Sequence, residues 1–259
     1  MLSITHQSTL FKQEEESMAP DCLSLQIVND TPALRSTDVR VAPGRSRAWL
    51  YRFVDDARMQ EALLSLLSED ELVRARAFIA PAARQHYIQT RAVLRMLLGR
   101  VLETSPKGLA FDYGPYGKPS LRDADACCFN IAHSGDYALL AVSQGLPVGV
   151  DIERQREIED LDALARMVLS PAEAGGWAAL PPVDRVPTFF SIWTAKEALV
   201  KATGRGLGLS LTSLEVGSLT GDILEAGCRV QVGESGVCRL LSLDAPLGYT
   251  AALAVQESL

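Results

Sequence analysis

The sequence predicts an α+β fold of two similar halves, and three observations carry that expectation. Apolar periodicity runs strand, long helix, strands, and then strand, long helix, strands again, with the changeover near residue 150. Of the 259 residues 47% are hydrophobic and 22% charged, a mix that buries about 70% of the unfolded surface at such a length and folds without staples. Five cysteines form no C-x-x-C pair and leave one over in any disulfide scheme, which fits a reducing compartment. No apolar run approaches a membrane span and the opening residues lack a secretory core, so the expected location is cytoplasmic, with no membrane partner.

Residues 1–38 show no sustained period and are rich in Ser, Thr, Gln and Glu. They are expected to form a disordered or poorly ordered N-terminal extension outside the fold. Residues 39–148 make the N-terminal half, and residues 149–259 the C-terminal half; no residue-level repeat accompanies the coarse symmetry. Val39 to Phe53 reads as a strand, Asp55 to Leu67 as a short helix, and Ser68 with Glu71 as a capping box that opens another. From Ala82 to Leu102, Leu94, Leu97, Leu98 and Val101 recur at helical spacing, while Arg91 and Arg95 share the other face. Tyr113 to Pro119 holds two glycines and two prolines and must be a loop, with Lys118 presented on it. Phe129 to His133, Tyr137 to Ser143 and Leu146 to Glu153 read as strands, the last two joined by a tight turn at Gln144-Gly145. Phe189 to Thr203 is a second long helix, stopped by Gly204 in the left-handed capping position.

The net charge of −7 argues against a nucleic-acid binder. Five acids against one lysine lie in the first 30 residues, so the folded body is closer to neutral and can still hold a local basic groove. His133 sits where a strand meets a turn, and the backbone of Ser134 and Gly135 can offer N–H groups to an anion. His6 and His86 are given no role. Asp151 and Glu153, two apart in a strand, point to the same side roughly 6–7 Å apart and can share one cation. An ordinary solvated strand end is the alternative for that pair. Trp193, Glu197 and Lys201 follow at i, i+4 spacing on one helix face, where Glu197 and Lys201 alone would be a surface ion pair. Three carboxylates plus a lysine on an otherwise apolar helix and strand shift the balance towards a hard-cation site with phosphate as companion, for which Mg²⁺ is suited.

Gly149-Val150-Asp151-Ile152-Glu153 and Trp193 to Lys201 closely resemble the two signature motifs of the surfactin-synthetase-activating type of 4′-phosphopantetheinyl transferase. Tyr116-Gly117-Lys118-Pro119 and Asn130 to Gly135 resemble two supporting motifs in the same order, so the resemblance spans roughly Ser68 to Leu209. It implies that family's fold, with the active site where the halves meet. It also implies transfer of the phosphopantetheine arm of coenzyme A to a serine of an apo carrier protein, with release of 3′,5′-ADP. The implied partners are acyl, peptidyl or aryl carrier domains of polyketide, nonribosomal peptide or fatty acid synthases, as in secondary metabolism, served by a monomer.

By the family pattern Asp151, Glu153 and Glu197 hold Mg²⁺, with Glu197 also the candidate base and Lys201 the catalytic partner of the phosphates. Lys118, Pro119, His133 and Ser134 fall at coenzyme A positions, as do Arg74, Arg84 and Arg91 around the 3′-phosphoadenosine end. Glu173 matches a further family acid but reads equally well as a capping-box acid. Ala132 stands where relatives often have serine, and Glu71 where they have lysine. Two alternatives are a different coenzyme A or nucleotide pyrophosphate enzyme using a metal, and a non-catalytic carrier-binding module. Turnover without a carrier would reveal the first, and the intact set of carboxylates and lysine argues against the second.

Overall fold

The computed structural model describes residues 25–28, 39–217 and 228–257. In chain order the first half contains β1 (Leu25–Val28), β2 (Ser46–Arg52), α1 (Ala57–Leu64), α2 (Glu69–Arg76), α3 (Pro81–Val101), β3 (Phe111–Tyr113), β4 (Pro119–Leu121), β5 (Cys127–Ser134) and β6 (Tyr137–Gln144). The second contains β7 (Val148–Arg154), α4 (Leu161–Val168), α5 (Pro171–Trp177), α6 (Pro182–Thr203), β8 (Cys228–Gln231), β9 (Val237–Leu243) and β10 (Tyr249–Gln256). The strands form two four-stranded sheets, ordered β1-β2-β6-β5 and β7-β10-β9-β8, and a β3-β4 ribbon.

Removing the edge strands β1 and β8 leaves β2-β6-β5 and β7-β10-β9, which have the same connectivity. In each, a strand enters, helices follow, and a hairpin returns so that its last strand lies beside the first. The expected pair of α+β halves is therefore present as a pseudo-twofold arrangement. β1 is a difference: it lies within the stretch read as an extension outside the fold, yet adds a parallel edge strand to β2. The remainder of that stretch lies outside the described residues. The strand expected over Val39 to Phe53 shortens to Ser46–Arg52, because Gly44 turns with φ 70 after Pro43.

Three apolar layers fix the halves. Trp49, Leu94, Leu97, Leu98 and Leu140 pack between the first sheet and α3, and Phe189, Ile192, Leu199 and Leu240 pack between the second sheet and α6. Leu50, Leu139, Val148, Val150, Ile152 and Leu253 form a third layer joining the sheets. Strand alternation explains the division of labour in β7. Val148, Val150 and Ile152 face that shared layer, which turns Gly149, Asp151 and Glu153 towards α6. Among the described residues no helix is long and apolar enough to cross a membrane.

Gly149 sets how near α6 can come. A Cβ there would overlap the Ala198 carbonyl oxygen and the Ala202 amide nitrogen, backbone atoms that cannot swing aside. Gly149→Ala is expected to push α6 outward and lower stability by about 1–3 kcal/mol, as overpacking does. A denaturant melt with an unchanged midpoint would show the contact to be looser than described.

Candidate active site

A cleft of about 530 Å³ runs between the halves. One wall is a face of α6, where the i, i+4 spacing aligns Trp193, Glu197 and Lys201 as the sequence predicts. Gly204, in the left-handed conformation at φ 67, ends this helix at the cleft. The facing wall belongs to the first half: Arg74 from α2, Tyr87, Thr90 and Arg91 from α3, the Tyr116-to-Pro119 loop, and His133 from β5.

The close approach that Gly149 permits lets Lys201 Nζ donate to Asp151 Oδ1 at 2.6 Å. Asp151 is only 3% exposed, and its second oxygen, Oδ2, is buried without a hydrogen-bond partner. Burial pushes the Asp151 carboxyl up to about 7, although Lys201 pulls the other way and Glu153 and Glu197 add their repulsion. Glu197 is raised too, first by burial, with Lys201 opposing and Glu153 reinforcing. Glu153 Oε2 accepts the Ser134 hydroxyl proton at 2.9 Å. The His133 ring is held below its usual range by burial and by the Lys201 ammonium, against the pull of Glu153.

These groups feel one another's charge, but the protein alone does not gather the three carboxylates expected from the motifs into a preformed centre. Among the described residues no group of three or more His, Cys, Asp or Glu is poised to hold a metal ion. The cation beside Asp151 is Lys201. The donor set nonetheless fits a hard divalent ion completed by substrate oxygens, since it is all oxygen and includes one buried carboxylate oxygen with nothing to bind.

Other expected ligands are differently engaged. Lys118 lines the cleft, but its ammonium donates to the carbonyls of Val148 (3.1 Å), Lys201 (2.5 Å) and Ala202 (3.1 Å), clamping the end of α6 to β7. Burial lowers it to about 8. All three N–H groups are thereby used, so its phosphate role is not the one seen. Arg91 lines the cleft while its Nε donates to Glu71 Oε1 at 2.5 Å, and Arg95 Nε donates to the other oxygen at 2.6 Å. Burial would raise the Glu71 carboxyl, but the two guanidinium groups prevail and hold it below its usual value. Arg74 lies over the Tyr87 ring, 5.9 Å from its centroid, and faces the cleft. Arg84 does not reach it; this side chain borders a separate hollow with Phe78 and Ile79. Pro119 lines the cleft, and Ser134 is turned to Glu153.

Glu173 is the capping-box acid. Its Oε2 accepts from the Ser170 N–H (2.8 Å) and from Lys196 Nζ (2.5 Å), both side chains of the ion pair being fully buried. Sequence reasoning missed this pair, although Lys196 on a helix flanked by Ile192, Ala195 and Leu199 signals a buried partner. It also missed Thr90, whose Oγ1 is buried at the cleft without a partner, and Asn130, whose Oδ1 accepts the Val150 N–H at 2.9 Å across the seam between sheets.

Glu197 and Lys201 on one wall and Arg74 and Arg91 on the other give the cleft charges of both signs. Residues 147–236 match the model of the 4′-phosphopantetheinyl transferase superfamily. The chain is 38% identical to the 4′-phosphopantetheinyl transferase HetI of Nostoc sp., over 62% of this chain and 68% of that one. It is 37% identical to a Synechocystis sp. protein provisionally given the same activity, over 58% of this chain and 62% of that relative's length. To Sfp of Bacillus subtilis it is 32% identical, over 58% of this chain and 71% of that one. The chain belongs to the 4′-phosphopantetheinyl transferase family.

Proposed function

We propose that this protein moves the 4′-phosphopantetheine group of coenzyme A to a serine hydroxyl of an apo carrier domain in a polyketide, nonribosomal peptide or fatty acid synthase. The observation that carries the proposal is the Asp151–Lys201 pair with Glu197 at the wall of a cleft built from both halves. In the step, the serine oxygen bonds to the β-phosphorus, the bond from that phosphorus to 3′,5′-ADP breaks, and the serine proton passes to a base. Glu197 is suited to that base, because burial has raised its carboxylate towards neutrality. Lys201 holds phosphate oxygens as charge develops on them. Asp151, Glu153 and Glu197 would hold Mg²⁺, which when bound neutralises charge on the pyrophosphate. Arg74 and Thr90 are free to meet the nucleotide end. The described cysteines are unpaired, which supports a cytoplasmic setting.

Apo carriers incubated with coenzyme A and Mg²⁺ should each gain the mass of one phosphopantetheine. Coenzyme A cleaved at the same rate without a carrier would overturn the assignment. On this reading His133, which lines the cleft, meets the 3′-phosphate, so His133→Ala is expected to weaken coenzyme A by roughly ten- to a hundredfold, the loss of one charge-assisted bond. Against 3′-dephospho-coenzyme A the same variant should bind like the unmodified chain. Equal losses for the two ligands, read by calorimetry, would move His133 elsewhere.

A further inference from the structure

We propose that Ser134 is a positioning residue that fixes the carboxylate of Glu153; the inference rests on the reading of Glu153 as one of the carboxylates that face the divalent cation. Ser134 ends β5 and Glu153 lies near the end of β7, on edge strands of different sheets. A serine hydroxyl has one proton to give and can accept in return. The proton goes to Glu153 Oε2 at 2.9 Å, and the oxygen accepts the Arg154 N–H at 3.1 Å.

The second bond explains why the first is well directed. As the end strand of its sheet, β7 has no strand hydrogen-bonded to its outer side among the described residues. Asn130 and Ser134, four residues apart on β5, take the N–H groups of Val150 and Arg154, likewise four apart. With its oxygen anchored to the backbone in this way, the Ser134 proton points at one carboxylate oxygen. The charge of Glu153 reaches His133, Asp151 and Glu197, second to that of Lys201, so where its carboxylate points bears on all three. Fixing the rotamer of a strand-end carboxylate before a cation arrives removes an ordering loss from binding, as hydrogen-bonded supports of ligating side chains do. The coenzyme A position expected for Ser134 involves its backbone N–H; donation by its hydroxyl to coenzyme A would require that proton to leave Glu153.

The test uses the full chain with coenzyme A and Mn²⁺ as the spectroscopic cation, titrated by electron paramagnetic resonance. Ser134→Ala is compared with the shape-matched pair Ser134→Thr and Ser134→Val, of which only threonine keeps the hydroxyl; the pair decides the matter should the alanine variant fold poorly. The Ala and Val variants are expected to weaken Mn²⁺ by roughly ten- to a hundredfold, the usual range for losing such a support, with threonine restoring it. Coenzyme A affinity measured without metal should stay unchanged in all three. Equal Mn²⁺ affinity in the Thr and Val variants overturns the proposal alone, and a matching fall in metal-free coenzyme A affinity overturns it in favour of a ligand contact. An unmodified chain that binds no Mn²⁺ with coenzyme A overturns the cation reading and this inference together.

Discussion

Glu173→Ala is expected to destabilise the protein by about 3–5 kcal/mol, the range for deleting one member of a fully buried ion pair. Lys196 would remain with its ammonium in the core; among the described residues its other hydrogen bonds go to the Val168 and Leu211 carbonyls at 2.7 and 3.0 Å. Burial already lowers the Lys196 pKa against the pull of Glu173, so the charged form is held by that carboxylate. The substitution also frees the N–H groups of Ser170 and Val216, which the two Glu173 oxygens accept at 2.8 and 3.0 Å. At roughly 2–4 °C per kcal/mol for chains of similar size, the melting temperature should fall by about 10 °C. Combining Glu173→Gln with Lys196→Met removes both charges and should recover much of the loss. A single variant that melts like the unmodified chain would show that the pair carries no weight.

The second large effect falls on transfer. Asp151→Asn and Glu197→Gln keep side-chain shape while removing a charge, and each is expected to slow single-turnover phosphopantetheine transfer by roughly 10²–10⁴-fold, the span of lost acid–base or electrostatic assistance. Asparagine at 151 can still accept the Lys201 proton through its carbonyl, so the α6–β7 contact should survive and the melting curve should hardly move. Near-normal rates at low Mg²⁺ in either variant would remove that carboxylate from the mechanism. Lost rates accompanied by a broad or early melt would instead assign the residue to the fold.

The long helices, the strand pairs and Gly204 were legible because each carries a local signal: a period, a turn dipeptide, or a residue that tolerates positive φ. The face shared by Trp193, Glu197 and Lys201 follows from helical spacing alone, and Asp151 with Glu153 from strand alternation. The partners were not legible. Nothing local brings Glu71 to Arg91 and Arg95, because the contact depends on how α2 packs on α3, and the expectation for Arg91 as a ligand therefore ignored a competing carboxylate. The expectation that Lys118 binds coenzyme A misses its three acceptors, because these are backbone carbonyls, which leave no mark in composition. Arg84 and Arg74 look equivalent in sequence, yet only the packing of α2 against Tyr87 turns Arg74 into the cleft.

The Glu71–Arg91–Arg95 cluster gives the cleft a particular response to ionic strength. Two guanidinium groups on one carboxylate leave one uncancelled positive charge, and their side chains are at most 5% exposed. Mobile ions cannot surround a charge placed there, whereas exposed Arg74 lies within an atmosphere that fades over about 8 Å at physiological salt. Under the proposed function, the coenzyme A anion is expected to be drawn from a distance mainly by Arg74, a charge that salt can mask, and to meet in the cleft the field of the buried cluster, which salt barely reaches. Added electrolyte is therefore expected to slow the anion's arrival more than it hastens its departure.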